Sequence, residues 1–158
     1  MQLYFKEIET PVGRLKLVAH DQALVAVLWE NENPDRVRIA TLVEDEHHPV
    51  LSKTEKQLIE YFNHQRTVFD LALDFQGTDF QKKVWQALLT IPFGETRSYK
   101  QIAEQIGNVK AVRAVGAANG KNPISIIAPC HRVVGANGKL VGFAGGLENK
   151  TILLEIEK

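Results

Sequence analysis

The stretch Asn122-Pro123-Ile124-Ser125-Ile126-Ile127-Ala128-Pro129-Cys130-His131-Arg132-Val133-Val134 contains the only cysteine of this 158-residue chain. Its isoleucine-rich part, residues 124–127, predicts a short buried strand, and Pro129 ends that strand because proline cannot donate to a strand ladder. Cys130 is therefore expected at a strand end with a fixed backbone. This position is the first candidate for a functional residue in the chain.

Cys130 is followed directly by His131 and Arg132. A histidine that takes the thiol proton, or a nearby positive charge, lowers a cysteine pKa from its usual value of about 8.5 and so produces the nucleophilic thiolate. The residues alone leave two interpretations open. Free cysteines are often buried and inert, and adjacent strand residues point to opposite faces, so only a loop would pair Cys130 with His131.

The composition predicts a globular protein of one compact unit or two small subdomains, because 44% of the residues are hydrophobic and 24% are charged. No apolar run approaches about 18 residues, and the N-terminal segment lacks the basic and apolar regions of a signal peptide. A single cysteine fits a reducing compartment. We therefore expect a monomer in the cytoplasm, without a membrane span.

The charges are unevenly distributed although the formal net charge is zero. Residues 1–80 hold 8 Lys or Arg against 14 Asp or Glu, whereas residues 81–134 hold 8 Lys or Arg against 2 acidic residues. The second region is therefore basic. Such an asymmetry indicates either a face that meets phosphate or an ordinary solvated surface, and the charges alone do not separate the two.

The N-terminal half predicts a small antiparallel sheet with one helix. Leucine, valine, isoleucine and aromatic residues recur there at strand-like spacing, with turn residues between them. Ser52-Lys53-Thr54-Glu55 has the spacing of a capping box at the start of a helix. The expected elements are strands at residues 2–8, 14–20 and 23–30, a polar loop at 31–50 with at most one short helix, a helix at 52–64, a strand at 67–73 and a subdomain boundary after residue 77.

Histidines in this half, including His47 and His48, occur near the acidic run at residues 44–46. They lack the i,i+4 or C-x-x-C spacing that places metal ligands on one face. We therefore expect these side chains to be solvated and predict no metal site.

The C-terminal half, residues 78–158, predicts a helix-turn-helix. Capping boxes at Thr78-Asp79-Phe80-Gln81 and Ser98-Tyr99-Lys100-Gln101 each begin an amphipathic helix. Gly107 supplies the stop of the second helix, and a short turn leads to a third helix at residues 110–118. Two helices joined by such a turn are typical of DNA-binding proteins.

The third helix carries little side-chain bulk around Arg113, because its neighbours include Ala111, Ala114 and Gly116. Such a helix can approach the wall of a DNA groove closely while one long cation projects. Small residues also mark close helix packing inside a domain. The sequence of the helix alone is compatible with both.

The motif Pro129-Cys130-His131-Arg132-Val133, preceded by Asn122-Pro123 and followed by Gly145-Gly146-Leu147, resembles the signature of the O6-alkylguanine-DNA alkyltransferases, also called methylated-DNA-protein-cysteine methyltransferases. The resemblance extends from about Phe80 to the C-terminus. It implies an α+β fold: a small N-terminal antiparallel sheet with a helix, acting as scaffold, is followed by a mostly helical, winged helix-turn-helix subdomain that binds DNA and holds the active site.

The resemblance also implies the reaction. A guanine alkylated at O6, with O4 of thymine as a second candidate atom, is flipped out of double-stranded DNA, and its alkyl group moves irreversibly to Cys130. The product is a thioether, which is not hydrolysed. The protein is therefore expected to act once per molecule, as a transferase in DNA repair, without cofactor or metal.

Roles are implied for the residues that match the family's motifs. Cys130 is the acceptor, His131 its base through a water, Glu157 the group that orients His131, and Asn122 the tie between the recognition helix and the active-site strand. On the DNA side, Arg113 fills the vacated space in the base stack, Tyr99 offers its hydroxyl to the flipped guanine, and Ala111, Ala114 and Gly116 permit close approach of the helix.

The implied substrate pocket combines Tyr99, Val133, Phe143 and Ala144. The carbonyls of Cys130 and Val133 would accept from the exocyclic amine of guanine. Many relatives have tyrosine and serine where this chain has Phe143 and Ala144, although Ala144 keeps the backbone N–H.

Three other functions are alternatives to alkyl transfer. The family's non-catalytic branch detects alkylated bases but replaces the acceptor cysteine, which is present here. A winged-helix regulator would need only the helix pair. A cysteine hydrolase would need an oxyanion hole, which no motif indicates.

Overall fold

The computed structural model describes residues 1–39, 41–140 and 142–158. Its N-terminal sheet contains β1 (Leu3–Thr10), β2 (Gly13–Ala19), β3 (Leu24–Leu28) and β4 (Leu42–Glu44), in the order β3-β2-β1-β4. The first three strands form the expected antiparallel meander. β4 was not expected, and it pairs parallel to β1, so the sheet is mixed. The chain has to cross from the β3 edge to the opposite edge to reach it.

Both faces of the central strands are covered. Val18, Val25, Ala26 and Leu28 form a cluster on one face, against which residues 37, 39 and 42 pack. The other face belongs to the main core. Residues 31–50, expected as a polar loop, therefore also contribute a hydrophobic cover for the sheet.

Helix α1 (Pro49–Phe62) begins three residues before the predicted start at Ser52. Pro49 occupies the first turn, where its missing N–H costs no hydrogen bond, and the Ser52 N–H donates to the His48 carbonyl at 2.9 Å. The capping box assigned to Ser52 was therefore wrong. The strand expected at residues 67–73 was also wrong, because only Leu73 bridges to Leu24.

The C-terminal half contains α2 (Asp79–Leu88), α3 (Tyr99–Gln105) and α4 (Val112–Gly120). Both predicted capping boxes are present: the Thr78 and Ser98 hydroxyls each accept from the N–H three residues later at 3.1 Å. Gly107 follows α3 with a φ of 80°, as its predicted stop requires. Helix α4 begins and ends two residues later than expected.

Three further elements place the cysteine. Strands β5 (Arg97–Ser98) and β6 (Val133–Val134) pair in parallel, and α5 (Leu147–Ile156) packs on the 3₁₀ turn Cys130–Arg132 between them. One continuous hydrophobic core joins Leu15, Leu17 and Leu58 of the N-terminal half to Val84, Ile102 and Val133 of the C-terminal half. Among the described helices, none has the length and hydropathy needed to span a membrane.

Candidate active site

The predicted strand at residues 124–127 is a tight loop instead, bonded to the sheet through Val27. The Val27 N–H donates to the Pro123 carbonyl at 2.9 Å, and Ile124 makes a single bridge to Val27. The Asn122 side chain closes the loop, since its Nδ2 donates to the Ala128 carbonyl at 2.8 Å and its Oδ1 accepts from the Ile124 N–H at 3.0 Å. These side-chain hydrogen bonds take the place of the strand-to-strand hydrogen bonds that a β-ladder would have. The strand prediction is corrected, although the isoleucines are buried as expected.

Cys130 begins a 3₁₀ turn, and the residue is 4% exposed. Its N–H donates to the Ala128 carbonyl at 2.8 Å. Burial raises the pKa of the thiol, against the opposing effects of an Asn122 hydrogen bond and the positive charges of Arg36 and Lys150. The expectation of a lowered pKa was therefore wrong for the resting protein, because loss of hydration outweighs the neighbouring charges.

His131 is fully buried, and its Nε2 lies 2.7 Å from Oε2 of Glu157. Burial lowers the pKa of the imidazole, although the Glu157 carboxylate acts to raise it. The ring is therefore neutral, with its proton on Nε2 facing the carboxylate. This tautomer leaves a lone pair on Nδ1, which has no hydrogen-bond partner among the residues that the structure describes.

Glu157 caps the end of α5 and is 4% exposed. Its carboxylate accepts from Tyr61 Oη at 2.6 Å, from His131, and from Arg132 Nε and Nη2 at 2.7 and 3.0 Å. Burial alone would raise the pKa of this carboxyl group. The hydrogen bonds from His131 and Arg132 reverse the effect and hold the pKa at about 2. Glu157 is therefore ionised at every physiological pH.

Arg132 was expected to provide a positive field for the cysteine. Its guanidinium group binds Glu157 instead and donates from Nη1 to the Ile91 carbonyl at 2.6 Å. It also lies over the Phe93 ring, 5.9 Å from the centroid. Arg132 therefore fixes the carboxylate that faces His131, and the charges that act on Cys130 come from Arg36 and Lys150.

Helix α4 has one buried and one exposed face. Val115, Ala118 and Asn119 are buried, and Trp85 Nε1 donates to the Ala118 carbonyl at 2.8 Å. Arg113 and Ala114 are exposed. Core packing therefore does not account for Ala114, the small residue next to Arg113 on the exposed face.

The remaining small residues lie beside that face. Gly116 is partly buried, with its Cα face toward the Tyr99 ring, where an added Cβ would lie 3.9 Å from ring atoms. Ala111 is the partly buried residue before the first turn of α4. Tyr99 thus lies next to the exposed face of α4.

Tyr99 and Asn119 connect α3 and α4 to the cysteine. Burial raises the pKa of the Tyr99 hydroxyl, and the charge of Cys130 acts in the same direction, while an Asn119 hydrogen bond opposes both. Asn119 Nδ2 also approaches the Cys130 carbonyl at 3.5 Å. Tyr99 of α3 and Asn119 of α4 therefore both interact with Cys130, and the Tyr99 hydroxyl keeps its proton.

The expected substrate loop contacts the N-terminal half. The Phe143 ring meets Trp29 edge to face, with 5.4 Å between centroids. Gly145 packs so closely on Trp29 that an added Cβ would lie 2.6 Å from the indole. Ala144 borders a small surface cavity with Pro11 and Val12.

Lys150 of α5 extends beneath this loop, where it is fully buried. Its Nζ donates to the Val133 carbonyl at 2.7 Å and lies 5.7 Å from the Phe143 ring centroid. The Val133 carbonyl, expected to face guanine, therefore already accepts one hydrogen bond. A carbonyl oxygen has a second lone pair that can accept another hydrogen bond.

Three residues near the site were missed by the sequence analysis. Arg36 donates from Nη1 to the Asn122 carbonyl at 2.8 Å and is held by Glu32. Tyr61 binds Glu157 across 96 positions of sequence, and Lys150 binds Val133. Each acts through a contact that is distant in sequence, so no local pattern marks it.

Comparisons with known proteins identify close relatives of this chain. A family model described as the DNA-binding domain of 6-O-methylguanine DNA methyltransferase matches residues 79–158, and one described as its ribonuclease-like domain matches residues 3–75. The methylated-DNA–protein-cysteine methyltransferase of Mycobacterium tuberculosis H37Rv is 48% identical over 158 residues, covering 99% of this chain and 93% of its own.

Similarity extends to archaeal proteins and to solved structures. The methylated-DNA–protein-cysteine methyltransferase of Methanosarcina acetivorans is 46% identical over 160 residues and covers 98% of both chains. The crystal structure of Mycobacterium tuberculosis OGT in complex with DNA superposes with a TM-score of 0.92 at 48% identity, covering 98% of this chain and 92% of that one.

Proposed function

Because this chain belongs to the 6-O-methylguanine DNA methyltransferase family, we infer that it repairs O6-alkylguanine in double-stranded DNA by moving the alkyl group to its own cysteine. The observation that carries this proposal is the position of Cys130 beside the buried His131–Glu157 pair. An inert core cysteine has no use for an ionised carboxylate that orients the neighbouring imidazole.

The thiol proton is transferred first. Glu157 holds the Nε2 proton of His131, so the Nδ1 lone pair is the basic atom. We propose that one water bridges Nδ1 and the Cys130 sulfur, carries the thiol proton to His131, and leaves a thiolate. The resulting imidazolium is stabilised by Glu157, which offsets the burial that otherwise disfavours ionisation.

The thiolate then attacks the alkyl carbon in line with the bond to O6. A carbon–sulfur bond forms, the carbon–O6 bond breaks, and its electron pair stays on guanine. Tyr99 interacts electrostatically with Cys130 and keeps its hydroxyl proton, and it is assigned as the donor to the guanine ring. The product is a stable thioether, so each molecule reacts once, with no cofactor.

The target carbon is out of reach within the base stack, so the nucleotide has to be extruded. The exposed face of α4 suits this step because Ala114 adds little bulk and Arg113 projects beside it. We assign Arg113 to the space left by the extruded base, and Ala111, Ala114 and Gly116 to the close approach of α4. Tyr99, whose ring faces Gly116 next to this surface, is assigned to the path between the DNA and the sulfur.

The extruded guanine is assigned to a pocket formed by the Cys130 and Val133 carbonyls, the Phe143 side chain and the Ala144 N–H. Asn122 supports the pocket by closing the loop before Cys130. Residues 1–77 and 78–158 are proposed as the scaffold and the DNA-binding subdomain of a monomer. A reducing cytoplasm is the compartment that preserves the free thiol.

Mass spectrometry of the intact protein tests this function. After incubation with duplex DNA that contains one O6-methylguanine, we expect the protein to gain one methyl group, located on Cys130 by peptide mapping, and DNA in excess to remain unrepaired. Binding without a gain in mass would identify a non-catalytic DNA-binding or regulatory protein instead. Repeated turnover on esters would identify a hydrolase.

A further inference from the structure

Tyr61 places a hydroxyl from the N-terminal half inside the site. Tyr61 lies in α1 and is fully buried. Its hydroxyl donates to Oε2 of Glu157 at 2.6 Å. Its ring packs against Phe62, Phe69 and Phe93, which hold the hydroxyl in this direction. Burial and the charge of Glu157 raise the pKa of the phenol far above its ordinary value, so Tyr61 acts only as a donor.

The hydroxyl shares its acceptor atom with His131. Oε2 of Glu157 receives Tyr61 at 2.6 Å, His131 Nε2 at 2.7 Å and Arg132 Nη2 at 3.0 Å. A donor to a carboxylate oxygen withdraws negative charge from that oxygen and weakens it as an acceptor for its other partners. The imidazolium form of His131 depends on this oxygen more than the neutral form does.

We propose that Tyr61 is a positioning residue of the Cys130–His131–Glu157 relay: its hydroxyl orients Glu157 and, by sharing Oε2, lowers the basicity of His131. The inference rests on the function proposed above and extends it to the N-terminal half. Without this competition, His131 would become protonated at a higher pH and would then be unable to accept the thiol proton.

Other charged groups also shift the pKa values of His131 and Glu157. On His131, Glu157 raises the pKa, whereas Arg132 and Lys150 lower it, and burial lowers it most. On Glu157, the donors are Tyr61, His131 and Arg132. Removing the Tyr61 hydroxyl changes a single neutral donor and leaves all of these charges in place.

The pH dependence of single-turnover methyl transfer tests the proposal. Activity falls at acid pH as His131 becomes protonated, so Tyr61→Phe is expected to move this acid limb to higher pH by about 0.5 to 1 unit. Tyr4→Phe is the matched control, because it removes a hydroxyl in the same half from a ring that stacks on His48. It should leave the acid limb unchanged.

A titration without substrate separates this inference from the proposed function. The ring of His131, followed by NMR in the Cys130→Ala protein, should show the same upward pKa shift when Tyr61→Phe is added. Absence of methyl transfer by the unmodified protein would overturn the proposed function alone. Unchanged titration of His131 and an unchanged acid limb would overturn the role of Tyr61 and leave it as core packing.

A second variant, expected to shift the pH profile in the opposite direction, tests the proposal if Tyr61→Phe does not fold. Incorporation of 3,5-difluorotyrosine at position 61 keeps the ring and makes the phenol a stronger donor. Both the acid limb and the His131 titration should then move to lower pH. A shift to higher pH, or none, would contradict the proposal.

Discussion

The Cys130 sulfur has to be a thiolate to attack carbon, yet burial raises its pKa in the resting protein. In the proposed mechanism, ionisation therefore depends on transfer of the proton to His131 rather than on a permanently charged sulfur. Cys130→Ala should abolish methyl transfer while keeping affinity for methylated duplex DNA within about threefold, since the replaced side chain is small and apolar. Gel-shift and intact-mass measurements on the same samples check both statements.

Glu157 has a matched control on its own helix. Glu157→Gln removes the charge that stabilises the His131 imidazolium and should slow methyl transfer about 100-fold. Glu155→Gln removes an exposed carboxylate that pairs with Lys158 and should leave the rate unchanged. Rapid-quench measurement of labelled methyl transfer distinguishes them, and equal rates for the two variants would argue against the role of Glu157.

The same carboxylate links stability to pH. Its folded pKa of about 2 lies below the ordinary value of 4.5 for a glutamate side chain. A depressed pKa contributes stability that is present above the unfolded value and lost as pH falls through the folded value. The contribution at neutral pH is about 3 kcal/mol, lost between about pH 5 and pH 2. Urea unfolding across this range should show a shallower pH dependence in Glu157→Gln than in Glu155→Gln.

Individual site residues differed in how far the sequence could predict them. Cys130, His131 and Glu157 were predicted as site residues from the resemblance of their motif positions to a known family, and the structure brings His131 and Glu157 into contact. Tyr61 could not be found in this way, because only the folded chain brings it to Glu157. The direction of the Cys130 pKa shift was missed for a related reason: burial depends on the whole core, whereas the charged neighbours are visible in the sequence.

Among the elements, those set by local bonds were predicted best. The capping boxes at Thr78 and Ser98 formed because each is a bond between residues three apart. The similar pattern at Ser52 did not, because Pro49 starts the helix one turn earlier. The loop at 122–129 has strand-like composition, but the Asn122 side chain bonds and the positive φ of Ile126, 74°, exclude a ladder.

The exposed face of α4 is expected to approach the DNA groove closely. Ala114 is exposed, so Ala114→Leu should fold normally but hold α4 away from the DNA groove. Transfer from duplex DNA should fall at least about 10-fold, which is the effect of losing roughly 1.4 kcal/mol of binding. Transfer from free O6-methylguanine base should be unaffected. An equal loss with both substrates would indicate a damaged active site instead.

Arg113 on the same face is expected to act before chemistry. Arg113→Ala should reduce repair of a paired O6-methylguanine more than repair of one opposite an abasic position, where the target base is already unpaired. Lys53→Ala, on an exposed part of α1, is the control for a lost positive charge. Single-turnover rates on the two duplexes give the comparison. Equal losses on both would count against the assignment of Arg113.

The N-terminal and C-terminal halves of the chain share one hydrophobic core. Trp29 Nε1 donates to Ser125 Oγ at 3.1 Å, Val27 bonds to Pro123, and Tyr61 bonds to Glu157, each across the proposed boundary. We therefore expect a single unfolding transition in calorimetry, with the calorimetric and van't Hoff enthalpies equal. Two separate transitions would show that the halves are independently stable.

Oxidants such as hydrogen peroxide attack exposed thiolates much faster than buried, protonated thiols. A protein that reacts once is lost if its sulfur is oxidised before it meets damaged DNA. With 4% exposure and its proton retained at rest, the Cys130 sulfur is shielded from such attack. Burial of this thiol is therefore expected to slow its oxidation by peroxide in the resting protein.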